Sequence, residues 1–174
     1  MEVLVHRISL TKFIKDYKTQ LISECVDQRK FLENSGNFKL KTNLIDKLYH
    51  LFIICSEKCL NKFTLKDKNF EVWCCITDNK FNLADWHNHK DTATVNGVLY
   101  LDTQDKGIDF RYEGKEAHIK PQNDDILIFP GSVDHRLHPS KDGKRISLNL
   151  ELRCNESEKN LFNKGAIWKK QKQK

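Results

Sequence analysis

The chain has no run approaching the ~20 consecutive apolar residues that a membrane-spanning helix needs, no Cys-x-x-Cys pair, and no internal repeat or low-complexity segment. The first absence excludes a helical membrane span. The second leaves a structural zinc site without support, and the third excludes a solenoid or propeller. Missing too, from the N-terminal Met-Glu-Val-Leu-Val-His-Arg, is the basic-then-apolar layout of a secretion signal, so a cytoplasmic location is expected. Six cysteines are present, Cys25, Cys55, Cys59, Cys74, Cys75 and Cys154. Most lie inside apolar runs, where a thiol behaves as a small hydrophobe, and free buried thiols are expected. A net charge of +6 and a pI near 8.9 admit a nucleic-acid partner. However, much of that excess sits in the tail at Lys169, Lys170, Lys172 and Lys174. No stripe of arginines and aromatics accompanies it, so a solvated surface with a basic end is the expectation.

With 174 residues, 39% of them hydrophobic, the chain is sized for one domain with its own core. Residues 1–68 read as a helical segment. Apolar side chains recur at Phe13, Ile14, Tyr17, Leu21 and Cys25, the spacing of one helix face, with Ser9 or Thr11 as cap and Ser35-Gly36 as terminator. A second helix fits Leu44, Ile45, Leu48, Leu51, Phe52 and Cys55, with Asn43 as its cap. His50 in that helix reads as a packing or surface residue.

From about residue 69 short β-prone runs alternate with turn residues. Strands are expected at roughly 69–77, 83–89, 95–102, 107–112, 116–120, 125–129, 132–138 and 144–152. That density implies a mainly β fold, a double-stranded β-helix or jelly roll spanning 69–154, with the N-terminal helices against one face. Residues 155–174 read as a basic tail, a short helix or loose end.

Three segments carry potential chemistry. In Asp85-Trp86-His87-Asn88-His89-Lys90-Asp91, residues two apart in a strand share a face, so His87, His89 and Asp91 would converge. Two imidazoles and a carboxylate are costly to bury together unless a shared ligand satisfies them, and a divalent metal such as Fe(II) would do so. His135 follows a strand and a Pro130-Gly131 turn, and a jelly roll would bring it beside the first segment as a distant third ligand. His138 would face the other side of its strand, and His6 and His118 have no supporting context. In the last segment, Arg145 and Ser147 share a strand face opposite Ile146, Leu148 and Leu150. An inward guanidinium needs an anionic partner, and a dicarboxylate would provide one.

Taken in order, His-x-(His/Asp), Val98-Leu99-Tyr100-Leu101, Ile128-Phe129-Pro130 with His135, and Arg145-x-Ser147 resemble the Fe(II)/2-oxoglutarate-dependent oxygenases. The resemblance covers roughly residues 70–152 and is closest to the prolyl-hydroxylase-like branch and to small phage oxygenases. It implies that His135 is the distal metal ligand and that Arg145, assisted by Ser147 and Tyr100, pairs with the C5 carboxylate of 2-oxoglutarate, with O2 as the second co-substrate. The proximal motif has two registers, His87-Asn88-His89 and His89-Lys90-Asp91. His87 is favoured as first ligand because it lies deeper in the expected strand, while the choice between His89 and Asp91 stays open. A cupin-type metalloenzyme is the alternative enzyme, although it lacks the expected glutamate and leaves Arg145 and Ser147 unexplained. A jelly-roll binding module without catalysis is the non-enzymatic alternative.

Overall fold

The computed structural model describes residues 4–32, 36–61, 65, 69–78, 85–104, 107–138, 144–154 and 168–169. In chain order these form β1 (His6–Ser9), α1 (Thr11–Ile14), α2 (Lys18–Phe31), β2 (Asn37–Lys39), α3 (Ile45–Cys59), β3 (Asn69–Thr77), β4 (Val95–Thr103), β5 (Ile108–Tyr112), β6 (Lys115–Ile119), β7 (Asp125–Pro130), β8 (Asp134–Leu137) and β9 (Arg145–Arg153). The strands make two antiparallel sheets, a six-stranded one in the order β1-β7-β4-β9-β3-β2 and a three-stranded one in the order β6-β5-β8. The fold is the expected double-stranded β-helix with helices on one outer face.

Period-two alternation in the large sheet separates two cores. Along β9, Ile146, Leu148, Leu150 and Leu152 join the cluster that includes Leu21, Leu48 and Phe52 from the helices. Arg145, Ser147, Asn149 and Glu151 therefore point to the other face, toward the small sheet. The interior between the sheets is lined by Val98, Tyr100, Phe110, Leu127, Phe129 and Val133. Helix α3 buries Leu48, Phe52, Cys55 and Cys59, one stripe at helical spacing. Its Phe52 ring lies flat enough on β4 that a Cβ at Gly97 would come within 2.5 Å of the ring. A glycine is required there because two layers meet without room for a side chain. No described helix is long and apolar enough to cross a membrane.

Several local expectations are revised. The first helix is two, α1 and α2, separated at Lys15–Tyr17, where Tyr17 N donates to Ile14 O at 3.1 Å. Neither Ser9 nor Thr11 caps α1, whose N-cap is Leu10, and Asn43 does not cap α3, whose N-cap is Leu44. Instead Leu10 N is satisfied by Asp124 O from another element, and Leu44 N by the Thr42 hydroxyl. The first partner is a tertiary contact and the second comes from two residues upstream in place of the expected asparagine. The helical N-terminal segment also contributes strands β1 and β2, one at each edge of the large sheet. Part of the expected 83–89 strand, residues 83 and 84, lies outside the described residues. The rest pairs only through an isolated antiparallel bridge, His87 with His135. In the tail, Trp168 is buried, bridges Leu60 and stacks on His6 with ring centroids 6.0 Å apart. All six cysteines are free and buried, as expected.

Candidate metal centre

His87 and His135 face each other across their bridge, with backbone hydrogen bonds of 3.1 and 2.8 Å in the two directions. His89 follows, its N–H donating to Gly131 O at 2.8 Å, and its carbonyl then accepts from Thr92 and Ala93 to close a turn. Gly131 sits so tightly under that turn that a Cβ would lie 2.0 Å from Ala93 O and 3.2 Å from His89 O. The Pro130-Gly131 step thus brings the strand carrying His135 against the turn carrying His89. Only the absent side chain allows it.

His87, His89 and His135 each present one ring nitrogen within 4.8 Å of the others. Their ring centroids are 4.3 Å (His87–His135), 5.2 Å (His89–His135) and 5.6 Å (His87–His89) apart. In every ring Nδ1 is engaged outward: His87 with Asp85 O at 3.0 Å, His135 with Val133 O at 3.1 Å, and His89 with Glu151 Oε1 at 3.0 Å. A carbonyl or carboxylate oxygen can only accept, so Nδ1 is the donor in each ring, and in a neutral imidazole that tautomer leaves the Nε2 lone pair for a metal. Burial, together with the neighbouring His87 and His89, pushes His135 down to about 3. It is therefore neutral at neutral pH, the form that binds metal. His89 Nε2 is fully buried with no hydrogen-bond partner among the described residues. Such an acceptor costs roughly 1–3 kcal/mol if left unmet. Three converging imidazoles with fixed tautomers fit a divalent transition metal, Fe(II) among them.

The alternation of the segment also holds His87 from behind. His87 faces in, while Trp86 and Asn88 face out onto the small sheet. The Trp86 ring lies against both the Arg111 and Arg136 guanidiniums, each 4.5 Å from its ring centroid. Asn88 Nδ2 donates to Asp134 Oδ1 at 2.8 Å, and Asp134 also pairs with Arg111 at 3.0 Å. With a single bridge in place of a ladder, these side chains anchor the segment.

The structure does not bring Asp91 to the group. It is exposed in the turn after His89, so the histidine register is the one that converges. Arg145, Ser147 and Tyr100 do come together on the inner face. Tyr100 and Ser147 are register partners on β4 and β9. Arg145 is buried, donates from Nη2 to Gly107 O at 2.9 Å, and lies with Cζ 5.5 Å from the Tyr100 ring centroid. Ser147 Oγ reaches the Cys75 carbonyl at 3.5 Å. A pocket of about 300 Å³ counting its open mouth is lined by His87 and His135 together with Ser147, Asn149 and Cys75.

Sequence reasoning missed Asn149 and Glu151, although both extend the Arg145, Ser147 alternation toward the histidines. It also gave no role to His118 and His138, which converge on Asp109 Oδ1 at 2.8 and 2.9 Å on the outer face of the small sheet. Arg136 holds the other oxygen of Asp109 at 3.1 Å, so that cluster is a closed hydrogen-bonded ion-pair network.

No family model and no curated relative matches the sequence. The fold does match solved structures. A prolyl-4-hydroxylase from Pseudomonas putida superposes with a TM-score of 0.64 at 17% identity, covering 86% of this chain and 92% of that one. A viral collagen prolyl hydroxylase from Paramecium bursaria Chlorella virus-1 gives 0.59 at 16%, covering 88% and 91%. A Trichoplax adhaerens prolyl hydroxylase, solved with a hypoxia inducible factor peptide fragment, gives 0.60 at 14%, covering 90% and 86%. The chain therefore shares the fold of the 2-oxoglutarate/Fe(II) oxygenases over nearly its whole length.

Proposed function

We propose that this protein is a non-haem Fe(II)- and 2-oxoglutarate-dependent oxygenase of the hydroxylase type. One observation carries the proposal: His87, His135 and Ser147 line one pocket, His89 converges on the two histidines, and the buried Arg145 and Tyr100 stand beside Ser147 on the same inner face. A metal alone accounts for the first set. A buried arginine beside a serine and a tyrosine, in the same interior as the three imidazoles, suits the far carboxylate of a dicarboxylate co-substrate. The cupin alternative gives that arginine no task.

In this proposal His87, His89 and His135 hold the metal through Nε2, and Asp91 takes no part. Bound Fe(II) with 2-oxoglutarate supplies the oxygen-activating chemistry, in which oxidative decarboxylation to succinate and carbon dioxide is coupled to oxidation of a substrate C–H bond. The protein's own residues bind and orient. Arg145 grips the C5 carboxylate, Ser147 and Tyr100 fix its angle, and the apolar wall of Val98, Leu137 and Ile108 keeps the pocket dry. Because the fold neighbours include prolyl hydroxylases, peptides are the first primary substrates to test.

The test is turnover and co-substrate binding together. Purified protein with Fe(II), ascorbate and 2-oxoglutarate is expected to form succinate, and Arg145→Ala to weaken 2-oxoglutarate binding at least tenfold while metal still binds. Metal binding without any 2-oxoglutarate-dependent spectral change would favour a cupin-type enzyme. Absence of metal binding would leave a binding module.

A further inference from the structure

The three ligands proposed for the metal are all neutral, yet a carboxylate stands directly behind one of them. Glu151 lies on the inner face of β9, two positions beyond Asn149 in the row that begins at Arg145. Its side chain is about nine-tenths buried, and Oε1 meets His89 Nδ1 at 3.0 Å. The rings of His87 and His135 are held instead by main-chain carbonyls. His89 is thus the one candidate ligand whose proton faces a charged acceptor. It is also the one whose Nε2 is buried and without a hydrogen-bond partner among the described residues.

A second observation marks the same spot. Asn96 is the register partner of Glu151 on β4, with Phe129 on its other side. It is fully buried, and neither its Oδ1 nor its Nδ2 has a partner among the described residues. Directly opposed residues on an antiparallel pair share a face with Cβ atoms roughly 5 Å apart. A buried amide and a buried carboxylate therefore stand side by side behind His89, next to the buried Phe129 on one side and to Glu71 and the open groove lined by Asn69, Thr92 and Arg153 on the other. Burying two polar groups there is costly unless they serve a common polar object.

We infer that Glu151 is a positioning residue of the metal centre: it holds His89 as the Nδ1–H tautomer with Nε2 aimed at the metal, and supplies from behind the ligand the negative charge that the three histidines lack. This rests on the metal-centre reading above. A carboxylate hydrogen-bonded to a ligating imidazole raises its basicity and fixes its rotation, and losing such a partner typically costs 10–100-fold in metal affinity.

Cobalt(II) is the probe, because it binds imidazole sites and shifts the proton resonances of its ligands. Anaerobic titration of the wild-type protein, Glu151→Gln and Glu151→Ala gives affinity, and proton NMR of each cobalt form counts the exchangeable imidazole N–H signals. The wild type should show three. Glu151→Ala should bind roughly 10–100-fold more weakly and lose one signal, since the His89 N–H then exchanges with solvent. Glu151→Gln keeps an acceptor oxygen without the charge, so it should retain three signals and bind with intermediate affinity. Thermal melting of the metal-free variants separates folding from positioning. Should Glu151→Ala fail to fold, Glu151→Gln carries the test, and wild-type affinity in it overturns the inference. Unchanged affinity with three signals in Glu151→Ala also overturns it while leaving the metal centre intact. A wild-type protein with no shifted imidazole signals overturns the metal centre and this inference together.

Discussion

At the scale of single residues, charge pairing on the small sheet has a measurable consequence. Burial alone would raise Asp109, but hydrogen bonds from His118, His138 and Arg136 outweigh it and hold the carboxyl at about 2. An Asp depressed below its unfolded value near 3.9 stabilises the fold above that pH, and the contribution disappears as pH falls through the folded value. Discounting for half-exposed partners, about 1–2 kcal/mol is at stake. Asp109→Asn should therefore be less stable than wild type by about that amount in urea unfolding at pH 6. The gap should close between about pH 4 and pH 2; a gap that persists at pH 2 would mean the carboxylate charge is not the source. Trp86 works at the same scale without titration. Trp86→Ala removes the ring that Arg111 and Arg136 both hold, and metal affinity should fall several-fold while the rest of the fold persists, as read by metal titration against circular dichroism.

Among the elements, two glycines set how closely layers approach. Gly97→Ala drives a methyl group into the Phe52 ring, an overpacking expected to cost about 1–3 kcal/mol. Pairing it with Phe52→Leu should recover part of that loss, so the double variant should be more stable than additivity predicts. Gly131→Ala acts on the metal site instead. Its Cβ would collide with the backbone of Ala93, which cannot yield as a flexible side chain does, so the turn holding His89 must move. Metal affinity should drop by more than thermal stability does, and equal losses in both would argue that the turn simply unfolds. Both strand and helix periods were readable in this chain because one face of each element is apolar. The start of α1 was not, since the remote Asp124 carbonyl meets Leu10 N there, and neither was the break at Lys15–Tyr17, where Tyr17 N bonds Ile14 O in the middle of one apolar period.

For the whole molecule, the ends of the chain are tied together. Trp168 is buried against His6 and bridges Leu60, although 108 positions separate Leu60 from Trp168 in sequence. Trp168→Ala should cost about 3–5 kcal/mol, the usual range for emptying an aromatic site, which thermal melting would show. Metal binding acts in the opposite direction. At a hundredfold excess over its dissociation constant it adds about 2.7 kcal/mol, or roughly 5–10 °C in melting temperature for a chain of this size. A chelator should reverse the shift, and replacing His135 with Ala should abolish it.

The sequence by itself determined the β-rich barrel and its helical flank, because hydrophobic period is a local property that survives without tertiary information. It also determined which face Arg145 and Ser147 share and that His87 and His89 point the same way, since side chains two apart in extended chain cannot do otherwise. Tertiary structure alone brings His89, and not Asp91, beside His87 and His135. The backbone turns after His89 because Thr92 and Ala93 bond to its carbonyl over Gly131, and that turn carries Asp91 into solvent. It alone placed Glu151 behind His89, a contact between residues sixty-two positions apart, and packed Trp168 into a core that its basic neighbours gave no reason to expect. Distances of that kind depend on how strands cross between sheets. No local pattern encodes that crossing.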